Sequence, residues 1–200
     1  MNYNQILKEG ENFLKKSNIK SPNLDTELIL SKIINKKREE LLLNSKNKLK
    51  NTDLKKFKSY LLRRYHKEPM AYILGYKHFW KYKFLINKSV LIPRPDTELV
   101  IEETLKYLPI ENSKKILDVG TGSGCIVVSL LKERPKCIAT AIDISKNAIN
   151  VAKTNAKLHQ LENKINFINI DIDKYKSYNY DLIISNPPYI NNVELNRLDD

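Results

Sequence analysis

Apolar runs and helical patterns alternate through the second half of the chain. The runs occupy positions 115–119, 137–142, 165–170 and 181–185, and each is short and largely apolar, as strands buried on both faces are. Helical patterns follow the first two runs, over 125–133 and, with Ser145 as its cap, up to about position 159. Strands that alternate with helices form a parallel sheet joined by right-handed crossovers. The sequence therefore predicts an α/β fold with a mostly parallel, Rossmann-like sheet in this part of the chain.

The first half of the chain has no such alternation. Apolar residues recur at helical spacing through residues 1–67, for example at Tyr3, Leu7 and Leu14, which predicts a small helical bundle. Residues 68–95 are aromatic and partly alternating, which predicts a β-hairpin linker with strands over 72–76 and 79–86, a turn at 87–89 and a short return over 90–92. The predicted organisation is a helical domain at 1–67, the hairpin linker at 68–95 and an α/β domain at 96–200.

Composition indicates a soluble globular protein, with 42% hydrophobic and 29% charged residues. No run approaches the roughly 20 apolar residues of a membrane span, and the first residues lack the pattern of a signal peptide. The two cysteines, Cys125 and Cys137, have neither metal-binding nor redox spacing, so we expect them in the core. We therefore expect a cytoplasmic protein that has no metal site and binds no membrane.

The positive charge is concentrated in the first half of the chain. Residues 1–92 carry 21 Lys/Arg against 8 Asp/Glu, whereas residues 93–200 carry 14 against 15. A basic surface of this kind suits an acidic protein surface or RNA. The alternative interpretation is a compositional bias, because Lys, Asn and Ile are abundant throughout the sequence.

A glycine-rich turn follows the first predicted strand of the α/β domain and opens a helix. It consists of Gly120, Thr121, Gly122, Ser123 and Gly124. Glycines there permit positive φ and let a ligand approach the backbone. Several kinds of nucleotide-binding fold use such a turn, so the turn alone does not identify the ligand.

Three acidic residues beside this turn narrow the ligand. Asp143 ends the next strand, where its carboxylate can accept both ribose hydroxyls of a nucleoside. Asp118 would repel a pyrophosphate but suits the amino group and sulfonium of S-adenosyl-L-methionine. Asp171 ends the third strand and can accept from an adenine amino group. The alternatives are a strand-end residue beside a helix cap for Asp143 and a simple turn carboxylate for Asp171.

The tetrapeptide Asn186, Pro187, Pro188 and Tyr189, here called the NPPY hook, follows the fourth predicted strand. The two prolines fix φ and remove two backbone donors, which makes this segment stiff and extended. The Asn186 side-chain oxygen and the Pro187 carbonyl can accept from the two N–H groups of a planar nitrogen, and Tyr189 can stack against it. Positioning of this kind favours methylation of a weakly nucleophilic nitrogen. We therefore expect Asn186, Pro187 and Tyr189 to be catalytic.

Together these features resemble the bacterial release factor glutamine methyltransferases. The motifs that carry the resemblance lie at positions 68–75, 79–80, 91–98, 118–124 and 185–190. The NPPY hook alone is shared with methylases of adenine and guanine amino groups. The stretch at 94–98, together with the aromatic hairpin, narrows the resemblance to this one family.

The resemblance implies a class I methyltransferase that uses S-adenosyl-L-methionine. In this family the helical domain docks the release factor, and the methyl group goes to the side-chain nitrogen of the glutamine in its Gly-Gly-Gln loop. The glycine turn, Asp143, Asp171, Ile172 and Asn186 would contact the cofactor, with Ile172 where relatives often have an aromatic residue. The NPPY hook would hold the glutamine amide. Residues 94–98 would line the cofactor cleft, or otherwise cap a helix.

Family members continue well beyond the position of Asp200. We therefore expect a fragment or a truncated gene product that by itself binds cofactor poorly and turns over little; in some relatives a second methyltransferase domain follows. Two other functions stay open. One is an amino-group methyltransferase of DNA or RNA, and the other is a truncated fragment that only binds a partner.

Overall fold

The chain divides into two compact units in the computed structural model, which describes residues 1–187. The first unit comprises Met1–Tyr76, and the second begins at Lys77. This division falls within the segment 68–95 that the sequence predicts to be a linker. The domain bounds 1–67, 68–95 and 96–200 stay a prediction.

The first unit is a helical bundle whose helices begin and end at local sequence signals. They are α1 (Tyr3–Lys15), α2 (Pro22–Ile34), α3 (Arg38–Leu43), α4 (Asn51–Tyr65) and α5 (Met70–Leu74). Asn2 and Gln5 form a capping box at the start of α1, because each side chain accepts from the other's backbone N–H. Helix α2 ends at Asn35, which adopts the left-handed conformation with φ 52°.

Close packing of α1, α2 and α4 builds the core of this unit. A Cβ atom at Gly10 would lie 2.7 Å from Thr26 Cγ2 and 3.1 Å from Phe57 Cζ, so only glycine allows α1 to approach its neighbours this closely. A partly buried ion pair joins the two other helices, since Arg64 Nε donates to Asp25 Oδ2 at 2.7 Å. This unit has its own hydrophobic core.

The predicted hairpin exists, but its position along the chain differs from the prediction. Its strands are β1 (Tyr76–Phe79) and β2 (Tyr82–Leu85), so the hairpin turns at Trp80 and Lys81, within the predicted strand 79–86. The predicted turn at 87–89 does follow β2, where Val90 N donates to the Asn87 carbonyl at 3.2 Å, but residues 90–92 form no strand. The prediction of a strand over 72–76 was wrong for positions 72–74, which belong to α5. Gly75 ends that helix at φ 75°, a conformation that a strand does not contain. Short aromatic runs do not distinguish a helical turn from a strand.

The second unit contains the predicted parallel sheet. After a short 3₁₀ turn (Pro95–Thr97), its elements are α6 (Glu98–Tyr107), β3 (Lys115–Val119), α7 (Cys125–Glu133), β4 (Ile138–Asp143), α8 (Lys146–Leu158), β5 (Ile165–Asn169) and β6 (Leu182–Ser185). The strand order is β5-β4-β3-β6, and all three pairings are parallel. From β3 the chain adds β4 and β5 on one side of the sheet and then returns to add β6 on the other side of β3. The strand order therefore switches between β3 and β6, and open α/β sheets bind ligands at such a topological switch point.

Helix α7 supplies much of the core that supports this sheet. Val127, Val128, Leu130 and Leu131 are fully buried, because α7 packs against both α6 and the sheet. Both cysteines are buried, as expected, and burial raises the pKa of the Cys125 thiol to about 12. Among the described helices, none is both long enough and apolar enough to cross a membrane. The predicted α/β class with an N-terminal helical bundle and a hairpin is confirmed.

Candidate functional site

A cavity of about 470 Å³ lies in the second unit at the carboxyl ends of its strands. Its lining comes from β3, β4, β5 and β6, each at or just after its last residue, and from the segment that follows the hairpin. The lining residues are Ser89, Val90, Leu91, Val119, Gly120, Gly122, Ile142, Asp143, Ile144, Ser145, Ala148, Ile170, Asp171, Ile172, Ser185, Asn186 and Pro187. Seven of the residues predicted for cofactor or substrate therefore meet at one opening.

The glycine turn presents two of its glycines to this cavity. Gly120 has φ 71° and Gly122 has φ 55°, so both adopt a backbone conformation that side chains disfavour. Nothing lies within 4 Å of a Cβ built on Gly120, so an added side chain would point into open space at the cavity. The backbone N–H groups of Gly120 and Thr121 both donate to the Ile142 carbonyl, at 2.9 and 3.0 Å. The turn is therefore held against the end of β4.

Asp143 connects this turn to the next helix. Its Oδ2 accepts from Gly122 N and its Oδ1 from Ser145 N, both at 2.9 Å. Ser145 in turn caps α8, since its hydroxyl accepts from Ala148 N at 3.2 Å. Each carboxylate oxygen has a second lone pair, so Asp143 can still accept from a diol. Asp143 therefore stands beside the cap of α8, as the simpler interpretation requires, and also lines the cavity, where a ribose could reach it.

Asp118 and Thr121 lie behind the cavity and do not line it. The Thr121 hydroxyl donates to Asp118 Oδ2 at 2.7 Å, and both side chains are buried. Burial, opposed by this hydrogen bond, raises the pKa of Asp118 from 3.8 to about 6. The Asp118 carboxylate therefore supports the glycine turn from inside the unit, through its hydrogen bond with Thr121.

Ser123 and Gly124 also face the interior of the unit. A Cβ atom on Gly124 would lie 3.2 Å from Ala152 Cβ, so this glycine lets the turn pack closely on α8. The Ser123 carbonyl accepts from Asn155 Nδ2 at 2.8 Å. Asn155 also exchanges two hydrogen bonds with the backbone of Leu85, at 2.7 and 2.9 Å. This fully buried amide therefore ties the end of β2 to the glycine turn, a connection that the sequence analysis missed.

Asn186 and Pro187 form the cavity wall at the end of β6. Asn186 Nδ2 donates to Thr97 Oγ1 at 3.1 Å. Pro187 is exposed. Pro188 and Tyr189 lie outside the described residues, so the predicted roles of these two residues stay predictions.

Asp171 and Ile172 lie on the opposite wall, after β5. Asp171 Oδ1 accepts from Asp173 N at 3.1 Å and caps a short 3₁₀ turn, as the simpler interpretation of this residue requires. It lines the cavity as well. The Ile172 side chain is about half exposed.

Residues 94–98 do not line the cavity; they approach it through Thr97. Glu98 Oε1 accepts from Trp80 N at 2.8 Å and so holds the turn of the hairpin, where Trp80 has φ 55°. Thr97 contacts Asn186 and makes no side-chain cap on α6. Thr97 therefore occupies the predicted cap position of α6 without making a capping hydrogen bond.

The sequence analysis missed several cavity residues. Ser89, Val90 and Leu91 were not predicted as site residues, although they line the cavity. Ile144, which is 73% exposed, follows Asp143 and offers an apolar surface at the same opening. A large apolar residue directly after a strand-end carboxylate is the sequence feature that could have indicated it. Among residues 1–187, no group of three or more His, Cys, Asp or Glu side chains is arranged to hold a metal ion.

Family models match parts of both units of the chain. Residues 97–197 match the family model described as the methyltransferase small domain, and residues 5–75 match the PrmC N-terminal domain. A release factor glutamine methyltransferase from Buchnera aphidicola is 38% identical over 195 residues, covering 94% of this chain and 70% of that protein. The chain belongs to the release factor glutamine methyltransferase family. The predicted family, the methyltransferase class and its cofactor, S-adenosyl-L-methionine, are confirmed.

Other relatives of the chain differ in how much of their own length the chain covers. A release factor glutamine methyltransferase from Coxiella burnetii is 39% identical over 86% of this chain and 62% of its own length. A bifunctional methyltransferase from Rickettsia typhi is 37% identical over 95% of this chain and 40% of its own length. The chain thus spans between 40% and 70% of the relatives named here.

Solved structures of methyltransferases also resemble about half of this chain. One is a putative S-adenosyl-L-methionine-dependent methyltransferase from Methanococcus maripaludis, 21% identical with a TM-score of 0.42 over 50% of this chain and 46% of that one. Another is a putative RNA methyltransferase from Pyrococcus horikoshii, 22% identical with a TM-score of 0.42 over 48% and 44% of the two chains.

Proposed function

We propose that this protein transfers a methyl group from S-adenosyl-L-methionine to the side-chain amide nitrogen of the glutamine in the Gly-Gly-Gln motif of peptide chain release factors. The observation that carries the proposal is the meeting of Asn186 and Pro187 with Gly120, Gly122 and Asp143 at one cavity. The relatives named release factor glutamine methyltransferase support the choice of substrate. Because release factors act in translation termination, we expect this activity in the cytoplasm.

One set of cavity residues binds the cofactor, and another set binds the substrate glutamine. Gly120, Gly122 and Asp143 hold the cofactor, with Asp171 and Ile172 on its adenine side. S-adenosyl-L-methionine supplies a methyl group that its sulfonium already activates. Asn186 Oδ1 and the Pro187 carbonyl accept from the two amide N–H groups of the substrate glutamine. Because an amide lone pair is delocalised, acceptors on both N–H groups favour its localisation on nitrogen as the methyl group arrives.

The first unit is the candidate docking surface for the release factor. It carries 17 Lys/Arg against 8 Asp/Glu, and it matches the PrmC N-terminal domain. We propose that this basic surface contacts an acidic protein surface or RNA in the ribosomal environment of the substrate. Such a contact weakens with ionic strength, so the apparent KM for release factor should rise with salt more steeply than the KM for cofactor.

Methyl transfer from labelled cofactor tests the main proposal. The full-length protein is supplied with a release factor, with the same factor carrying Gln→Ala in the Gly-Gly-Gln motif, and separately with DNA or RNA. We expect label on the unmodified factor alone, located on the glutamine by mass spectrometry. Label on nucleic acid would favour the amino-group methyltransferase of DNA or RNA, and partner binding without label would favour a non-catalytic protein.

Asn186→Ala tests the role of the hook. We expect this substitution to lower turnover by about 10²–10³, by analogy with the loss of one preorganised hydrogen-bonding group. Asn150→Ala is the matched control, because Asn150 is an exposed asparagine on α8 away from the cavity lining. Equal turnover of Asn186→Ala and the unmodified protein would contradict the proposal that Asn186 holds the substrate nitrogen.

A further inference from the structure

We propose that Thr97 is a positioning residue that orients the Asn186 amide for methyl transfer. The contact that points to this role is the hydrogen bond from Asn186 Nδ2 to Thr97 Oγ1, at 3.1 Å, between residues 89 positions apart. The inference rests on the proposed function, in which the Asn186 oxygen accepts from the substrate amide. It adds a residue that lies outside the cavity lining.

The Thr97 hydroxyl does not make the local hydrogen bond that its position in the chain would favour. Thr97 directly precedes α6, at the N-cap position, where a threonine hydroxyl ordinarily accepts from a helix N–H group. Here the residue has helical φ and ψ of −69° and −16°, and its side chain makes no cap bond. The hydroxyl instead reaches the end of β6.

The geometry of an amide explains what this contact does. The side-chain amide of Asn186 is planar, so fixing the direction of Nδ2 also fixes the direction of Oδ1. A substrate glutamine presents N–H groups, which require an acceptor. If the Asn186 amide turned over, its own N–H groups would face those of the substrate, and two donors would oppose each other. Thr97 disfavours that orientation because it holds Nδ2 on its own side.

The segment that carries Thr97 is itself firmly held. Thr97 is only 8% exposed, and Pro95 stiffens the turn in which it lies. The next residue, Glu98, accepts from Trp80 N, and Ile101 one turn later is completely buried. A hydrogen-bonding group on a rigid support preorganises its partner better than one on a loose loop.

The test uses substitutions that keep the shape of Thr97 and remove its hydroxyl. Thr97→Val should lower kcat for release factor methylation about five- to tenfold, the equivalent of one hydrogen bond. The dissociation constant for cofactor should change far less than kcat, because Thr97 does not line the cavity and the substitution leaves Gly120, Gly122 and Asp143 in place. Thr97→Ser keeps the hydroxyl and should restore most of kcat. Thr104→Val is the matched control, since Thr104 lies in α6 and is also 8% exposed.

A double-substitution cycle separates positioning from a general structural effect. In the Asn186→Ala background, Thr97→Val should cause no further loss of kcat, because the amide that it orients is gone. Equal losses in both backgrounds would overturn the inference, and so would an unchanged kcat for Thr97→Val while Asn186→Ala is impaired. An unaffected Asn186→Ala would overturn the proposed function and this inference together. If Thr97→Val lowers the melting temperature, Thr97→Ala replaces it in the same cycle.

Discussion

At the scale of single residues, burial decides how Asp118 behaves. Its carboxylate lies 1% exposed within β3, with the Thr121 hydroxyl as its hydrogen-bond donor. Burial raises the pKa of Asp118 above its ordinary value, to about 6. Below about pH 4 the folded and unfolded chains both hold the proton, so burial of the ionised group costs nothing. As the pH rises from about 4 to about 6, the unfolded chain gives up this proton while the folded chain keeps it, so stability falls; above pH 6 both are ionised and the loss is complete.

We therefore expect Asp118→Asn to stabilise the protein at neutral pH. The gain should approach about 3 kcal/mol above pH 6 and vanish towards pH 4, because asparagine removes the ionisation but still accepts from Thr121. Urea unfolding of both proteins at pH 4.5 and pH 7.5 measures the difference. Asp173→Asn, at an exposed carboxylate, is the control. A gain of equal size at both pH values would show that ionisation of Asp118 is not its cause.

At the scale of elements, one buried amide joins three parts of the second unit. Asn155 on α8 is completely buried, and its side chain bonds to the backbone of Leu85 at the end of β2 and of Ser123 in the glycine turn. Backbone groups at the end of a strand and in a turn lack partners within their own element. Asn155 supplies those partners, so the hairpin and the candidate cofactor turn share one support.

Removing that support should affect both stability and cofactor binding. Asn155→Ala leaves up to three backbone groups without their partner, so we expect a loss of at least about 2 kcal/mol in the free energy of unfolding. Calorimetric titration with S-adenosylhomocysteine should also show weaker binding, because the glycine turn loosens. Thr154→Ala, at the exposed neighbour on α8, should change neither quantity by more than about 0.5 kcal/mol. Wild-type stability of Asn155→Ala would refute this role.

At the scale of the whole molecule, the chain comprises two units that each have a core. The core of Met1–Tyr76 includes Leu14, Leu30 and Leu41, all completely buried, and the Arg64–Asp25 ion pair lies within the same unit. A chain of this length can bury enough apolar surface to fold alone. We infer that the first unit is an independently folding domain.

A fragment of residues 1–76 should accordingly unfold cooperatively when followed by circular dichroism. Leu30→Ala should lower its free energy of unfolding by about 2–5 kcal/mol, because it empties a buried site. Leu43→Ala should have little effect, since Leu43 is 85% exposed. A coil-like spectrum for the fragment, or equal effects of the two substitutions, would contradict independent folding.

Local patterns predicted much of the fold. Strand β3 and helix α7 have the predicted bounds, and Ser145 caps α8 as expected, because each of these features depends on residues within one turn or one strand. The same applies to Gly120, Gly122 and Asp143, which follow strand ends whose position the apolar runs reveal. The hairpin was misplaced because its short aromatic segments fit a helical turn and a strand equally well.

By itself the sequence determined the α/β class, the helical bundle, the family resemblance and the strand-end residues of the candidate site, since periodicity and motifs are local properties. Only the tertiary structure decided which predicted residues line the cavity and which, like Asp118 and Thr121, lie behind it. It also decided that Thr97 contacts Asn186, 89 positions away, and that Asn155 contacts Leu85, 70 positions away. Contacts of that kind follow from how the elements of the second unit pack against one another, which no local pattern encodes.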